Sequence, residues 1–363
     1  MPGSPIARQP TVWLLLDDRP GHRTQVIGLA RSLGWPAEEK PLRFNRYEAL
    51  PQPVLGSSPL SLDLESRARL APPYPDLVIG MGRRIVPAAR WIRRRSGGRT
   101  RIVLIGRKVP NDPSIADLTV ACAHFGQIAH PGLFEIAVPP TQVNAESLAA
   151  ARTGRPDPMA GLASPRVLLL VGGPTAQHFF AADFAGRMAG EIAAATAAIG
   201  GSLAIVTSRR TPEAALAAMR ASAPQAHVHQ WQAGRPDNPY MSYLAHADCI
   251  VATGESESMI AEAVATGLPL TIYPLPPRPP SRKRRLHGRL AAAARGNGRL
   301  AGFWRWLFAR NWITPPRDLA IMHDRLVELR LARMFDGAIG RQKPPPHEET
   351  ALLARRIEAM LRT

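Results

Sequence analysis

Apolar positions in the first 275 residues gather into short runs, with helix-spaced stretches between them. TVWLLLD (11–17), PDLVIGMG (75–82), RIVLIG (101–106) and ADLTVAC (116–122) are nearly continuous apolar runs of strand length, the pattern of strands buried on both faces. EEKPLRF (38–44) and LFEIAVP (133–139) complete this first series. Between strands, RTQVIGLARSLG (23–34) sets Val26, Ile27, Ala30 and Leu33 at helical spacing, with Gly34 as a stop. A second helix is predicted near 83–95, and Pro51 to Pro75 reads as a proline-rich loop with room for a short helix.

SLAAARTGRPDPMAGLASP (147–165) is rich in Ala, Gly and Pro, lacks periodicity and reads as an inter-domain linker. The alternation then restarts, with strands at 166–175, 202–208, 226–232, 248–256 and 268–275 and helices near 181–199, 211–222, 238–247 and 258–267. Strands and helices in alternation, joined by short connectors, predict parallel sheets covered on both faces. The expected fold is α/β, with two Rossmann-like lobes, residues 1–150 and 151–280, whose parallel sheets face a cleft. PLPPRPP (274–280) is a stiff connector. Beyond it, 281–363 holds a basic aromatic segment and C-terminal helices at 318–335 and 348–362.

A length of 363 residues fits two domains of roughly 150 each. Cys122 and Cys249 are far apart and share no motif with other ligands, which argues against a disulfide framework or a zinc site and for a reducing compartment. The opening MPGSPIARQPTVWLLLDD has too short an apolar run for a signal peptide, and no stretch approaches the about 20 apolar residues of a spanning helix. A cytoplasmic location is the expectation.

Charge sharpens the picture. Lys and Arg number 46 against 28 acids, a surplus of 18 that favours nucleic acid, phosphorylated metabolites or an anionic membrane. Residues 281–310 contain nine basic side chains and no acid, half of that surplus. Part of the rest reads as arginine placed wherever a solvated residue is tolerated, as in WIRRRSGGRTR (91–101).

Ligands of open parallel sheets bind beyond the carboxyl ends of the strands, and three strings carry chemistry there. In VGGPTAQH (171–178), Gly172 and Gly173 allow close backbone approach and Thr175 offers a hydroxyl, although a plain turn would look the same. In TGESESMIAEAVATGLP (253–269), Thr253, Gly254, Ser256 and Ser258 precede a helix and predict a neutral anion cradle. Glu255 or Glu257 must then face away from a diphosphate or bind a hydroxyl. Glu262, one turn inside that helix, can accept from both hydroxyls of a ribose. In LLLDDRPGHRTQ (14–25), Asp17, Asp18, Gly21 and His22 follow the first strand, and a histidine beside a carboxylate can act as a general base. The alternative is that His22 merely fronts the helix. Arg209 is a candidate contact for a pyrophosphate or a base, and Arg83 and Arg84 for the acceptor side. The second lobe shows no DxD-like pair, so no metal is assigned.

LDDRPGHRTQVIGLARSLG, PDLVIGMGRR, LVGGPT, NPYMSYLAHADCIVATGESESMIAEAVATGLP and RLHGRL together resemble bacterial relatives of the plant mitochondrial-fission (elongated-mitochondria) factor family, over most of residues 11–340. The resemblance implies a GT-B glycosyltransferase-like fold. SMIAEAVATGLP is also similar, more distantly, to the nucleotide-sugar segment of the lipid-linked N-acetylglucosaminyltransferase that completes the peptidoglycan precursor. That likeness implies that Glu262 holds the ribose, that VGGPTAQH is the second-lobe glycine loop and that RPGHRTQ is the first-lobe turn. Asp17 and Asp18 depart from it, as does the smaller number of glycines in the first turn.

The expectation is a metal-independent glycosyltransferase without a cofactor, moving sugar from a nucleotide-sugar to a lipid-linked or cell-envelope glycan. His22 and Asp18 would be catalytic. Gly172, Gly173, Thr175, Arg209, Thr253, Gly254, Ser256, Ser258 and Glu262 would bind the donor. Asp17, Gly21, Arg83 and Arg84 would lie on the acceptor side. A non-catalytic membrane-associated adaptor on the same fold is the alternative. A sugar-nucleotide epimerase comes third, since neither its glycine-rich turn nor a Tyr-x-x-x-Lys pair is present. Within 281–312, Leu300, Phe303, Trp304, Leu307 and Phe308 form one helical stripe with Arg299, Arg305 and Arg310 off it. The stripe either packs on the protein body or touches the anionic inner face of the cytoplasmic membrane. No nucleic-acid motif accompanies the charge.

Overall fold

The structure, a computed structural model, describes residues 9–107, 109, 112, 114–234, 238–310 and 312–362. The opening residues 1–8 and Asn311, which entered the reading above, lie outside that description. The chain divides into two compact units. The first takes the chain up to Gln142, Arg282–Asp318 and the C-terminal stretch from Glu348; the second takes Val143–Ser281 and Leu319–His347. Residues 281–363 are thus shared between the units.

In the first unit six strands form one sheet: β1 (Val12–Leu16), β2 (Ala37–Pro41), β3 (Leu77–Met81), β4 (Arg101–Ile105), β5 (Leu118–Cys122) and β6 (Leu133–Ile136). Their order is β2-β1-β3-β4-β5-β6, with every pairing parallel. Successive side chains of a strand point to opposite faces, and β1 is buried at all five positions. Leu14 and Leu16 pack with Val26, Leu29 and Leu33 of the Pro20–Leu33 helix and with Leu353 and Ile357 of the Glu349–Leu361 helix. Trp13 and Leu15 pack on the other side with Ile85, Ala88 and Ile92. Gly34 ends the first helix in the left-handed conformation, as predicted, but the helix starts at Pro20, earlier than the expected Arg23, because proline suits the first helical position.

The second unit repeats the design with β7 (Arg166–Val171), β8 (Ser202–Thr207), β9 (His227–His229), β10 (Cys249–Thr253), β11 (Leu270–Tyr273) and β12 (Arg333–Met334). Its order is β12-β11-β10-β7-β8-β9, again all parallel, which in chain rank is the 3-2-1-4-5-6 order of dinucleotide-binding sheets. In such sheets the crevice for a ligand opens where the strand order reverses. That point falls between β1 and β3 in the first unit and between β7 and β10 in the second.

Three expectations need correction. The stretch read as a linker at 147–165 begins inside a helix, Ala145–Gly154, held by an Asn144–Ser147 capping box. The helix expected over 318–335 is Leu319–Glu328 only. Arg330 then turns at φ 56° and Arg333–Met334 pairs with Thr271 and Ile272, because the open edge of β11 offers backbone partners that a longer helix would leave unmet. The basic segment forms two helices, Arg282–Arg295 and Ala301–Ala309, separated by residues 296–300, which begin with Gly296, Asn297 and Gly298. Trp304 and Phe308 pack with Ala291, Ala294 and Ile128, while Leu300 and Phe303 of the predicted stripe face outward. Among the described residues no helix is long and apolar enough to cross a membrane.

Candidate functional site

The turn after β7 and the turn after β10 meet because their strands are neighbours. The Gly172 N–H donates to Thr253 Oγ1 at 2.9 Å and the Gly173 N–H to Glu255 Oε1 at 2.8 Å. Arg210 Nη2 approaches the same Glu255 oxygen at 3.2 Å, and the Thr211 hydroxyl donates to the Gly172 carbonyl at 2.6 Å. A Cβ on Gly172 would sit 1.7 Å from Glu255 Oε1, so only glycine fits beside this acid. Burial pushes the Glu255 carboxyl above the usual range, opposed by the Gly173 N–H and Arg210. Its other oxygen, Oε2, is buried without a hydrogen-bond partner.

This arrangement corrects the expected neutral cradle. Both glycine amides are already engaged, and a carboxylate stands at the centre of the turn. Thr175 is spent locally, its hydroxyl accepting from the Gln177 and His178 N–H groups. The Gly254 carbonyl lies 2.8 Å from His323 Nε2. Ser256 is the N-cap of the Glu257–Thr266 helix, buried and making no side-chain cap bond.

Beside the turn, past the carboxyl ends of β8 and β9, lies a cavity of about 190 Å³. It brings together Arg209, Ser258 and Glu262 with Ser208, Trp231 and Tyr240. Ser208 links the two places, its hydroxyl donating to the Gly172 carbonyl at 3.1 Å. The Tyr240 hydroxyl donates to Glu262 Oε2 at 2.6 Å. Burial raises the Glu262 carboxyl and the Tyr240 bond partly lowers it again. The Tyr240 hydroxyl is held well above its ordinary value by burial and by that acid. A deprotonated Glu262 therefore presents one oxygen already occupied and one that can accept from a ligand.

At the switch point of the first unit, His22 Nδ1 lies 2.8 Å from Asp17 Oδ2, and the Asp17 side chain is 1% exposed. A carboxylate only accepts, so Nδ1–H donates to Asp17, and in the neutral form of the ring Nε2 is then the acceptor. Gly82, at φ 80°, lets the imidazole ring pack against it: a Cβ there would be 2.9 Å from His22 Cε1. Arg84 ties the cluster together, reaching Asp17 at 3.5 Å and Glu48 at 2.7 Å, pairing with Asp18 and stacking over the Phe44 ring. The dyad is therefore Asp17–His22. Asp18, expected to be catalytic, is an exposed partner of Arg84. Gly21 and Arg83 are exposed.

A family model described as mitochondrial fission ELM1 matches residues 20–302 of this chain. The chain belongs to the mitochondrial fission ELM1 family. An ELM1 relative, the mitochondrial fission protein ELM1 of Arabidopsis thaliana, is 31% identical over 132 residues, 36% of this chain and 30% of that protein. The chain thus matches less than a third of that relative's length. Among solved structures, a Staphylococcus aureus MnaA–UDP co-structure is similar at 10% identity, 97% of each chain and a TM-score of 0.44. Acinetobacter baumannii MurG is similar at 11% identity, 97% of this chain and 90% of that one, with a TM-score of 0.40. The fold of this ELM1-family chain is defined by its own two strand orders.

The sequence reading missed Glu255 as the centre of the turn, together with Arg210, Thr211, Trp231 and Glu48. Two signals were legible. Trp231 is the aromatic residue near the end of the run AHVHQWQ, and Arg210 is the second of an arginine pair that follows a strand. Glu48 had no signal, because it arrives from a short helical turn, Arg46–Ala49, whose sequence carries no motif.

Proposed function

We propose that this chain is a glycosyltransferase that uses a nucleotide-activated sugar and that the cavity beneath Glu262 receives the nucleoside. The observation that carries this reading is the convergence of Arg209, Ser258 and Glu262 with Trp231 and Tyr240 in one place. Glu262 accepts a ribose hydroxyl on the oxygen that Tyr240 leaves available, Trp231 offers a face for the base, and Arg209 with the Ser258 hydroxyl meets the diphosphate. The glycine amides do not bind the diphosphate, since Thr253 and Glu255 already hold them. A volume of about 190 Å³ is below that of a site for a whole drug-sized ligand, so the sugar and part of the diphosphate extend outside it. Asp17–His22 supplies a general base for an acceptor hydroxyl, and the acceptor class is a lipid-linked or cell-envelope glycan. This scheme invokes no metal or cofactor, because cationic and hydroxyl groups meet the leaving diphosphate.

One observation favours a second reading. The Glu255 carboxylate fills the glycine turn, which suits a non-catalytic adaptor on this fold, as the fission function of the plant relative suggests. Titration with UDP, GDP, CDP and ADP, followed by melting temperature, separates the two. The transferase reading expects stabilisation by one nucleotide, abolished in Glu262→Ala; at a hundredfold excess over Kd that is about 2.7 kcal/mol. No response to any of the four overturns it in favour of the adaptor.

A further inference from the structure

We propose that the helix pair Arg282–Arg295 and Ala301–Ala309 is a docking surface for an anionic lipid bilayer, with Phe303, Trp306 and Trp312 as the inserted residues. The inference goes beyond the transferase reading and does not depend on it. The inward side of the pair is closed: Ala301 and Phe308 are buried, and Phe308 packs with Ala291 and Ala294. The outward side is a different set of residues, and it is not polar. Leu300 is 62% exposed, Phe303 52%, Trp306 41% and Trp312 63%. The rings form one cluster, Phe303 stacked on Trp306 with centroids 6.3 Å apart and Trp306 against Trp312 at 5.6 Å. Large aromatic side chains left outside a core mark an interaction site.

The charge around the cluster selects its occupant. Phe303 and Trp306 share one face of the Ala301–Ala309 helix, with Arg299 just before that helix and Arg310 at its C-cap. The Arg310 guanidinium lies 4.6 Å over the Trp306 ring. Arg282, Lys283, Arg285, Arg289 and Arg295 of the companion helix are exposed as well, and 281–310 contains no acid. Indole rings settle at the headgroup level of a bilayer, with their apolar bodies toward the acyl chains. Arginine and lysine beside them are drawn to anionic headgroups. A second copy of this chain is a poor occupant, because it would set nine positive charges against nine. A nucleic acid would match the cations but leave Leu286 and Leu300, both exposed, without an apolar partner.

The test uses the full chain and two vesicle preparations, phosphatidylcholine alone and an equal mixture of phosphatidylcholine and phosphatidylglycerol. The protein is expected to sediment with the mixed vesicles, to stay in solution with the neutral ones and to be released by salt. Trp306→Ala combined with Trp312→Ala should weaken sedimentation at least about tenfold while leaving the melting temperature unchanged, since both residues are exposed. Arg299→Gln and Arg305→Gln should each weaken it roughly fivefold. On the unaltered protein, lipids brominated on the acyl chains should quench tryptophan fluorescence; no quenching overturns the proposal without reliance on any variant. Equal sedimentation with both preparations overturns it too. So does unchanged sedimentation of the double tryptophan variant, or binding to a single-stranded oligonucleotide in place of vesicles.

Discussion

Substituting alanine for Gly172 tests the account of the second unit most directly. The new Cβ would lie 1.7 Å from Glu255 Oε1, so the oxygen must retreat by about 1.7 Å to reach ordinary contact at 3.4 Å. The Glu255 side chain has no exposed surface, and its retreat breaks the 2.8 Å bond from the Gly173 N–H and the 3.2 Å pair with Arg210. A hydrogen bond to a charged group contributes about 1.5–3 kcal/mol. Breaking a buried ion pair on one side costs about 3–5 kcal/mol, so Gly172→Ala should destabilise the second unit by about that larger amount. Glu255→Ala removes the obstacle; it has its own cost, but in that background Gly172→Ala should add less than about 1 kcal/mol, a coupling of about 3 kcal/mol. Hydrogen exchange of the β7 and β10 amides reports opening of this unit separately from the other. Additive single and double variants, or a Gly172→Ala cost below about 1 kcal/mol, would refute the packing argument.

Three further outcomes follow from the same geometry. Because burial raises the folded-state pKa of Glu255 above 4.5, this group weakens stability as pH rises from 4.5 through that raised value, where the unfolded chain ionises first. Glu255→Gln should therefore gain on the parent protein over that window in urea melts at stepped pH, and a constant difference would contradict it. Tyr240→Phe removes the bond that lowers Glu262 against its burial, so the Glu262 carboxyl should titrate at still higher pH by ¹³C NMR; an unchanged or lower value argues against the pair. Phe308→Ala, at a buried position, should cost about 3–5 kcal/mol in thermal or urea melts, whereas Phe303→Ala, on the exposed face, should stay within about 0.5 kcal/mol; equal costs would overturn the assignment of inner and outer faces.

The alternation of strands and helices was legible because a strand buried on both faces leaves a continuous apolar run, as VWLLL and RVLLLV do. Helix ends were legible where a residue type is forced, as at Gly34. The helix Ala145–Gly154 was not, because its sequence, AESLAAARTG, has weak apolar periodicity and runs into a stretch rich in proline and glycine, so the whole resembled a linker. The edge strand Arg333–Met334 could not be read, since two residues carry no period and its pairing partner lies 62 positions earlier.

Sequence alone determined which chemistry stands at the strand ends: the glycines, the acids, His22, Arg209 and Glu262. Tertiary structure decided which of them touch. Asp17 rather than Asp18 faces His22 because alternate positions leaving a strand point to opposite sides. Glu255 closes on Gly173 because β10, far along the chain, is laid beside β7. The exposed aromatic cluster is likewise a tertiary outcome: a helical stripe tells only that apolar residues share a side, while the neighbours available to bury them decide which side goes inward.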